Sequence, residues 1–243
     1  MLDTLKRPRW AIATFVVLLV AVSFVGLGFW QLDRLGQRRA QNAVQESRLG
    51  MEATPLDVLL GDDAEQIEYR VAIVEGEFDP SHEVLIRSQV ELGQAGFHVV
   101  TPLVTEDGSA VLINRGWVPL VMDSPPVSAA PVEGRVSVEG WVHLSQKRPP
   151  LGAEEPEGDL EVLNRVDVDR IGDQMPYELA PIYLVELGEG SEQLPIPVDL
   201  PDFADEGPHL AYAIQWFGFA LVGVVGFSLL IRRQARTVGR DQV

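Results

Sequence analysis

A chain of 243 residues with a formal charge of −17, 23% charged residues and no cysteine has the average composition of a soluble protein. The missing cysteine excludes disulfides, thiolate metal sites and covalent CxxCH haem attachment, and the acidity repels nucleic acid and suits cationic partners or plain solubility. Four methionines scattered at 1, 51, 122 and 175 do not make a soft copper site.

That average hides two apolar runs. Residues 11–30, "AIATFVVLLVAVSFVGLGFW", carry no charge; at the helical rise a run of this length spans about 30 Å, the thickness of a hydrocarbon core. It is longer than the apolar core of a signal peptide and ends in "FWQLDR" rather than a small-residue cleavage site, so it reads as a retained anchor over 10–31. Lys6, Arg7 and Arg9 precede it, in a cytoplasmic N-terminus of 1–9. Nine residues before the span are too few for an organellar transit peptide, and a prokaryotic plasma membrane is the expected location.

Residues 32–66 read as a helical extension and linker, with "DRLGQRRAQNAVQESR" (33–48) continuing the first span. Trp30, Gln31 and Arg34 sit at its lip, where Trp and Arg are ordinary interfacial anchors. From 67 to 208 short β-rich runs follow: "YRVAIVEGEF" (69–78), "HEVLIRSQ" (82–89), "FHVVTPLVT" (97–105), "AVLINRGWV" (110–118), "RVSVEGWVHL" (135–144), "LEVLNRV" (160–166) and "PIYLVEL" (181–187). "DPS" at 79–81 and "EDGS" at 106–109 are turn signals short enough for hairpins. The pattern predicts an antiparallel β-rich barrel or sandwich with one or two short helices, "VDVDRIGDQM" (166–175) among them, and long loops at "SPPVSAAPVEG" and "KRPPLGAEEPEGD".

In "VLINRGWVP", alternation places Val111, Ile113, Arg115 and Trp117 on one face and Leu112, Asn114 and Gly116 on the other. An arginine on an apolar face needs a carboxylate, carbonyls or solvent, which predicts a structural ion pair beside a bulge at Gly116. No catalytic motif accompanies these strands. His82, His98 and His143 fall on different predicted strands without metal-ligand spacing, and GxSxG, HExxH and phosphate-loop patterns are absent. The chain reads as a non-enzyme.

The second apolar run, "LAYAIQWFGFALVGVVGFSLLI" (210–231), again carries no charge, and predicts a span over 209–231 with a basic cytoplasmic tail at 232–243. Arg232, Arg233, Arg236 and Arg240 follow it, whereas "DLPDFADEGPH" before it has acids and no Lys or Arg. The basic flank places that end in the cytoplasm, and two spans put both termini there. Between the spans lie 12 of the 19 basic and 34 of the 36 acidic residues, a balance of −22.

His209, Tyr212, Gln215 and Trp216 open this span. At about 100° per residue, Trp216, Ala220 and Phe227 fall within ~20° of His209, Tyr212 about 60° away and Gln215 about 120° away. One face thus presents an imidazole and a large ring above small residues that admit a helix or a flat macrocycle, while Gln215 points toward a neighbouring helix or the outer domain. Lipid anchoring accounts for three of the four; a bound cofactor or partner accounts for all.

"GFWQLDRLGQR", "VLINRGWVP" and "HLAYAIQWFGFAL" together resemble signatures of the Surfeit locus protein 1 family, and "YRVAIVEGEFD", "GFHVVTPL" and "LNRVDVDRI" fit its pattern. The resemblance runs along nearly the whole chain. It implies a two-helix membrane protein with a β-rich extracytoplasmic domain that assists assembly of haem–copper (aa3-type) cytochrome c oxidase, binding haem a and helping deliver it to the catalytic subunit. The family's haem-holding histidine matches His209, and its companion residues match Tyr212, Gln215 and Trp216. Implied partners are the oxidase catalytic subunit, haem a synthase, the lipid bilayer and a further copy of the chain. The alternatives are a cofactor-free scaffold that clamps the catalytic subunit, or an accessory subunit of the mature complex.

Overall fold

The computed structural model describes residues 8–91, 93–149, 156, 158–188 and 193–240, the last five of these by backbone alone. The expectations for Lys6 and Arg7, for 150–155 and 157 in the second proline-rich loop, and for the extreme C-terminus lie outside the described residues. The chain divides into two units, one comprising residues up to Ala43 and from Asp202 onward, the other Val44–Pro201.

The first unit is a helix pair. Helix α1 (Pro8–Leu49) has buried Gly28, Gln31, Leu35 and Asn42, with half-buried Val17, Ala21 and Phe24 extending the same line. Those alternating steps of three and four make a heptad seam, the spacing of left-handed helix pairing. Its partner is the C-terminal helix His209–Arg240, which offers buried Ala213, Ala220 and Ile231. Ring contacts set the two antiparallel: Trp10 lies 6.3 Å from Phe227, and Phe24 5.3 Å from Trp216. The helices pack tightly at Gly28, where an added Cβ would lie 2.6 Å from the Phe217 ring.

Away from the seam these helices expose apolar side chains. Phe15, Leu18, Leu19 and Val22 on α1, and Leu221, Val222 and Leu229 on its partner, are each more than half exposed. Both helices are long and apolar enough to cross a membrane. The hydroxyls of Thr14, Ser23 and Ser228 are satisfied within their own helices: Thr14 donates to the Trp10 carbonyl, Ser23 to that of Leu19 and Ser228 to that of Val224.

The second unit is a closed barrel. Its strands are β1 (Thr54–Pro55), β2 (Val71–Phe78), β3 (Val84–Glu91), β4 (Gln94–Val104), β5 (Ala110–Pro119), β6 (Arg135–Leu144), β7 (Val162–Leu163) and β8 (Leu179–Glu186). Neighbours run β2-β6-β8-β5-β4, and β4 returns to β2 through Glu77↔Val104 and Phe78↔Leu103, which closes the ring. Short helices α2 (Leu56–Leu59), α3 (Ala64–Ile67) and α4 (Val168–Gly172) complete it, and the C-terminal helix of the other unit is α5.

Two layers of packing explain why these strands are apolar on both faces. Val111, Ile113, Ile182 and Leu184 join one cluster with Val74, Val138 and Val142, covered by Leu56 and Leu59 of α2 and Ile67 of α3. The alternate residues Leu112, Tyr183 and Val185 join a second cluster with Trp141, Leu163 and Val168 and Ile171 of α4. Period-two alternation therefore feeds two cores, and β5 is buried from Ala110 to Val118.

Three features depart from the sequence reading. The turn at 79–81 is no hairpin: Asp79 caps a 3₁₀ turn (Pro80–His82), and β2 and β3 each pair with β4 instead of each other. The run 160–166 contributes only the two-residue β7, because it lies parallel to β3 at the sheet margin. The sheet also contains a parallel pair, β5 with β8, made possible by β6, which carries the chain back across the barrel between them. By contrast 106–109 does form the tight β4–β5 hairpin.

Candidate functional site

His209 is the first residue of α5, and the chain approaches it through short turns made by its own aspartates. Asp202 accepts from the Ala204 amide and Asp205 from the Gly207 amide, and Gly207 takes a φ of +68°. The Asn42 side-chain amide donates to the carbonyls of Phe203 (2.9 Å) and Asp205 (3.0 Å), and Arg39 forks onto Glu206 at 2.6 and 2.8 Å. One turn of α1 after another thereby holds the segment that delivers the histidine.

At the top of the seam, the His209 Nδ1 lies 2.8 Å from the Gln31 Oε1. An amide oxygen only accepts, so Nδ1 donates, and in a neutral imidazole the lone pair then resides on Nε2. Gln31 is 9% exposed, whereas His209 is half-buried. The far edge of the ring runs past Gly207, where an added Cβ would sit 3.7 Å from Nε2.

The remaining lip residues divide by side. Trp216, half-buried, packs on Phe24 and at 6.0 Å on Phe219, so its ring belongs to the helix seam. Tyr212 is 47% exposed and Trp30 49%. The Arg34 guanidinium lies 5.6 Å over the Trp30 ring and donates to Gln37. Gln215 is exposed, whereas buried Ala213 and half-buried Trp216 occupy the side toward α1.

Asn114, Arg115, Gly116 and Trp117 belong to the barrel unit, and His209 to the helix pair. The β4–β5 register steps from Val99↔Gly116 to Val100↔Asn114, leaving Arg115 as the extra residue of a bulge. Its guanidinium donates to Glu83 (3.1 Å), Thr101 (3.4 Å) and the Ala129 carbonyl (2.8 Å). Glu83 also accepts from the Thr101 hydroxyl and the Val127 amide, so this buried carboxylate ties β3, β4, β5 and the loop after β5. Gly116, at φ +124°, admits the Ile196 carbonyl, which bonds the Trp117 amide at 2.7 Å. Sequence reasoning named Arg115 and missed Glu83 and Thr101. A lone acid opening the apolar "EVLI" run was the available signal.

The other histidines are engaged within the barrel unit. The Asn114 Nδ2 donates to the His98 Nδ1 at 3.1 Å, and burial pushes the His98 pKa down to about 4. His82 bonds Asp79 at 2.6 Å, and His143 stacks on Tyr183 with ring centroids 5.1 Å apart. Among the described residues no group of three or more His, Asp or Glu is placed to hold a metal ion.

Comparison with known proteins agrees with this layout. The SURF1 family model matches residues 18–221, from inside α1 to inside α5. A SURF1-like protein of Mycobacterium tuberculosis is 27% identical over 244 residues, covering 98% of this chain and 89% of that one. The cytochrome oxidase assembly protein SHY1 of Saccharomyces cerevisiae is 35% identical over 94 residues, 38% of this chain and 24% of that one. Surfeit locus protein 1 of Arabidopsis thaliana is 33% identical over 111 residues, 41% of this chain and 31% of that one. With a family match over most of its length and two apolar helices flanking a closed barrel, this chain belongs to the SURF1 family.

Proposed function

We propose that the protein assists assembly of a haem–copper (aa3-type) cytochrome c oxidase, holding haem a at His209 and passing it to the catalytic subunit. Family membership and the assembly role in the name of the yeast relative support the first part. The second rests on one observation: a half-buried imidazole at the start of α5 whose Nδ1 is engaged by Gln31.

The residues fit such a group. An imidazole with one nitrogen donating and the other bare is the form in which histidine ligates iron. The half-exposed rings of Tyr212 and Trp30 offer apolar surface at the same lip, while Trp216 is committed to Phe24 and contributes support from below. When bound, haem supplies the iron centre that the oxidase needs. The protein's own residues bind, orient and release it without making or breaking covalent bonds. A single protein ligand suits release, since a cofactor clamped from both sides is slow to leave.

The membrane is the prokaryotic plasma membrane in this reading. The arginines in the last turns of α5 hold both termini in the cytoplasm, and the acidic barrel unit stands outside. Haem a synthase is the donor partner, the oxidase catalytic subunit the acceptor, and self-association an arrangement open to the helix pair. A second reading, a cofactor-free scaffold or accessory subunit, is favoured by Gln215: an exposed amide on an apolar helix invites a partner helix.

A visible spectrum with pyridine haemochrome analysis separates the two. Protein purified in mild detergent from cells that make haem a carries it, and His209→Ala does not. A colourless native protein that still captures the catalytic subunit overturns haem binding in favour of the scaffold.

A further inference from the structure

Gln31 is a polar residue in an apolar seam. It occupies the heptad line of Gly28, Leu35 and Asn42, where a leucine would pack against α5 without an amide to satisfy. A glutamine kept between membrane helices is accounted for by what its amide holds. That amide has its oxygen 2.8 Å from the His209 Nδ1, across 178 residues of sequence.

Resting on the haem reading above, we infer that Gln31 is a positioning residue: from α1 it fixes His209 as the Nδ1–H tautomer and so delivers a bare Nε2 to iron. Without an acceptor at Nδ1 the imidazole exchanges its proton between two nitrogens and turns about χ2, and either change removes the lone pair from the site. A hydrogen bond from a ligating histidine to an oxygen also raises the basicity of the ligating nitrogen. Helix α1 is in this view half of the site. The ties of Arg39 to Glu206 and Asn42 to the carbonyls of Phe203 and Asp205 hold the approach segment in register with Gln31.

The rival explanation is that Gln31 only sets helix register, as single polar residues do in coiled coils. The test begins on full-length, haem-free protein in detergent with ¹⁵N-labelled histidine, at a pH where the imidazole is neutral. Two-bond proton–nitrogen spectra show Nδ1 protonated and Nε2 bare at His209, the Nε2–H form growing in Gln31→Leu, and the Nδ1–H form restored in Gln31→Glu. Titration with haemin then shows Gln31→Leu binding at least about tenfold more weakly, and Gln31→Glu binding as well as the native protein. The barrel circular dichroism stays unchanged throughout.

An Nε2–H form in the native protein, or identical tautomers in native and Gln31→Leu proteins, overturns the inference. So does haemin affinity indifferent to Gln31 while dependent on His209. Haemin binding undiminished in His209→Ala sinks the haem reading itself, a failure the tautomer spectra distinguish because they need no haem.

Discussion

Arg115 and Glu83 form a buried ion pair at 3.1 Å, with side chains 6% and 1% exposed, between strands of the barrel unit 32 residues apart in sequence. The pair spans the bulge that separates Asn114 from Gly116, and both partners have further hydrogen bonds. Removing one partner of such a pair leaves an uncompensated charge and costs about 3–5 kcal/mol, whereas replacing both by apolar residues is often far milder.

The expected outcome in a urea series on the full chain in detergent follows. Arg115→Met and Glu83→Leu singly lower stability by about 3 kcal/mol or more, and the double variant loses clearly less than the two together. Strict additivity would mean that the residues act separately, through Ala129 and Val127.

A pH dependence resides at His98. Burial holds its folded-state pKa at about 4 against the ordinary 6.5, and protonating Nδ1 would also set it against the Asn114 N–H. The unfolded chain takes up the proton first, so this stability is full above pH 6.5 and is lost as pH falls toward 4, by at most about 3 kcal/mol. His98→Gln should flatten the fall in urea midpoint between pH 6.5 and 4 relative to the native protein. A parallel curve would remove His98 as its source.

The helix pair is sensitive at Gly28. A side chain there meets the Phe217 ring, while Gly26, two residues earlier, has no heavy atom within 4 Å of an added Cβ. Because the chain has no cysteine, a pair introduced at Phe24 and Trp216 reports helix approach by oxidative cross-linking. Gly28→Leu lowers the yield and, by drawing Gln31 from His209, weakens haemin binding; Gly26→Leu leaves both unchanged. Equal yields would mean that Phe217 swings aside and the approach is not set at Gly28.

The extent of the fold was legible because its signals are local. Strands β2, β4, β5, β6 and β8 show as runs of β-branched residues ended by Gly, Pro or Asp, and the spans show as charge-free lengths. The parallel β5–β8 pairing and the separation of β2 from β3 are choices of partner made across tens of residues, and no short-range pattern encodes them. At the site, the stripe of His209, Trp216, Ala220 and Phe227 was readable from helical period alone. What lies against it was not. Gln31 was placed at the lip as partner or site support with no contact assigned to it, although its position on the heptad line of Gly28, Leu35 and Asn42 marked it as seam-facing. Recognising it required pairing two seams 178 residues apart.

Gly116 tests whether the bulge itself matters. Its φ of +124° lies where side chains are strained, and an added Cβ would sit 2.2 Å from the Ile196 carbonyl oxygen. Backbone strain alone costs about 1–3 kcal/mol; Gly108, at φ +84° with open space around it, isolates that contribution. Gly116→Ala must also displace the Ile196 side of the Trp117–Ile196 bridge, whose bonds are 2.7 and 2.8 Å. The urea midpoint should therefore fall markedly further in Gly116→Ala than in Gly108→Ala, with Trp117 fluorescence moving toward that of an exposed indole. Equal losses would assign the whole cost to backbone conformation and show that the Ile196 segment yields freely, in which case Arg115 and Glu83 hold the bulge without help from the segment bridged to it.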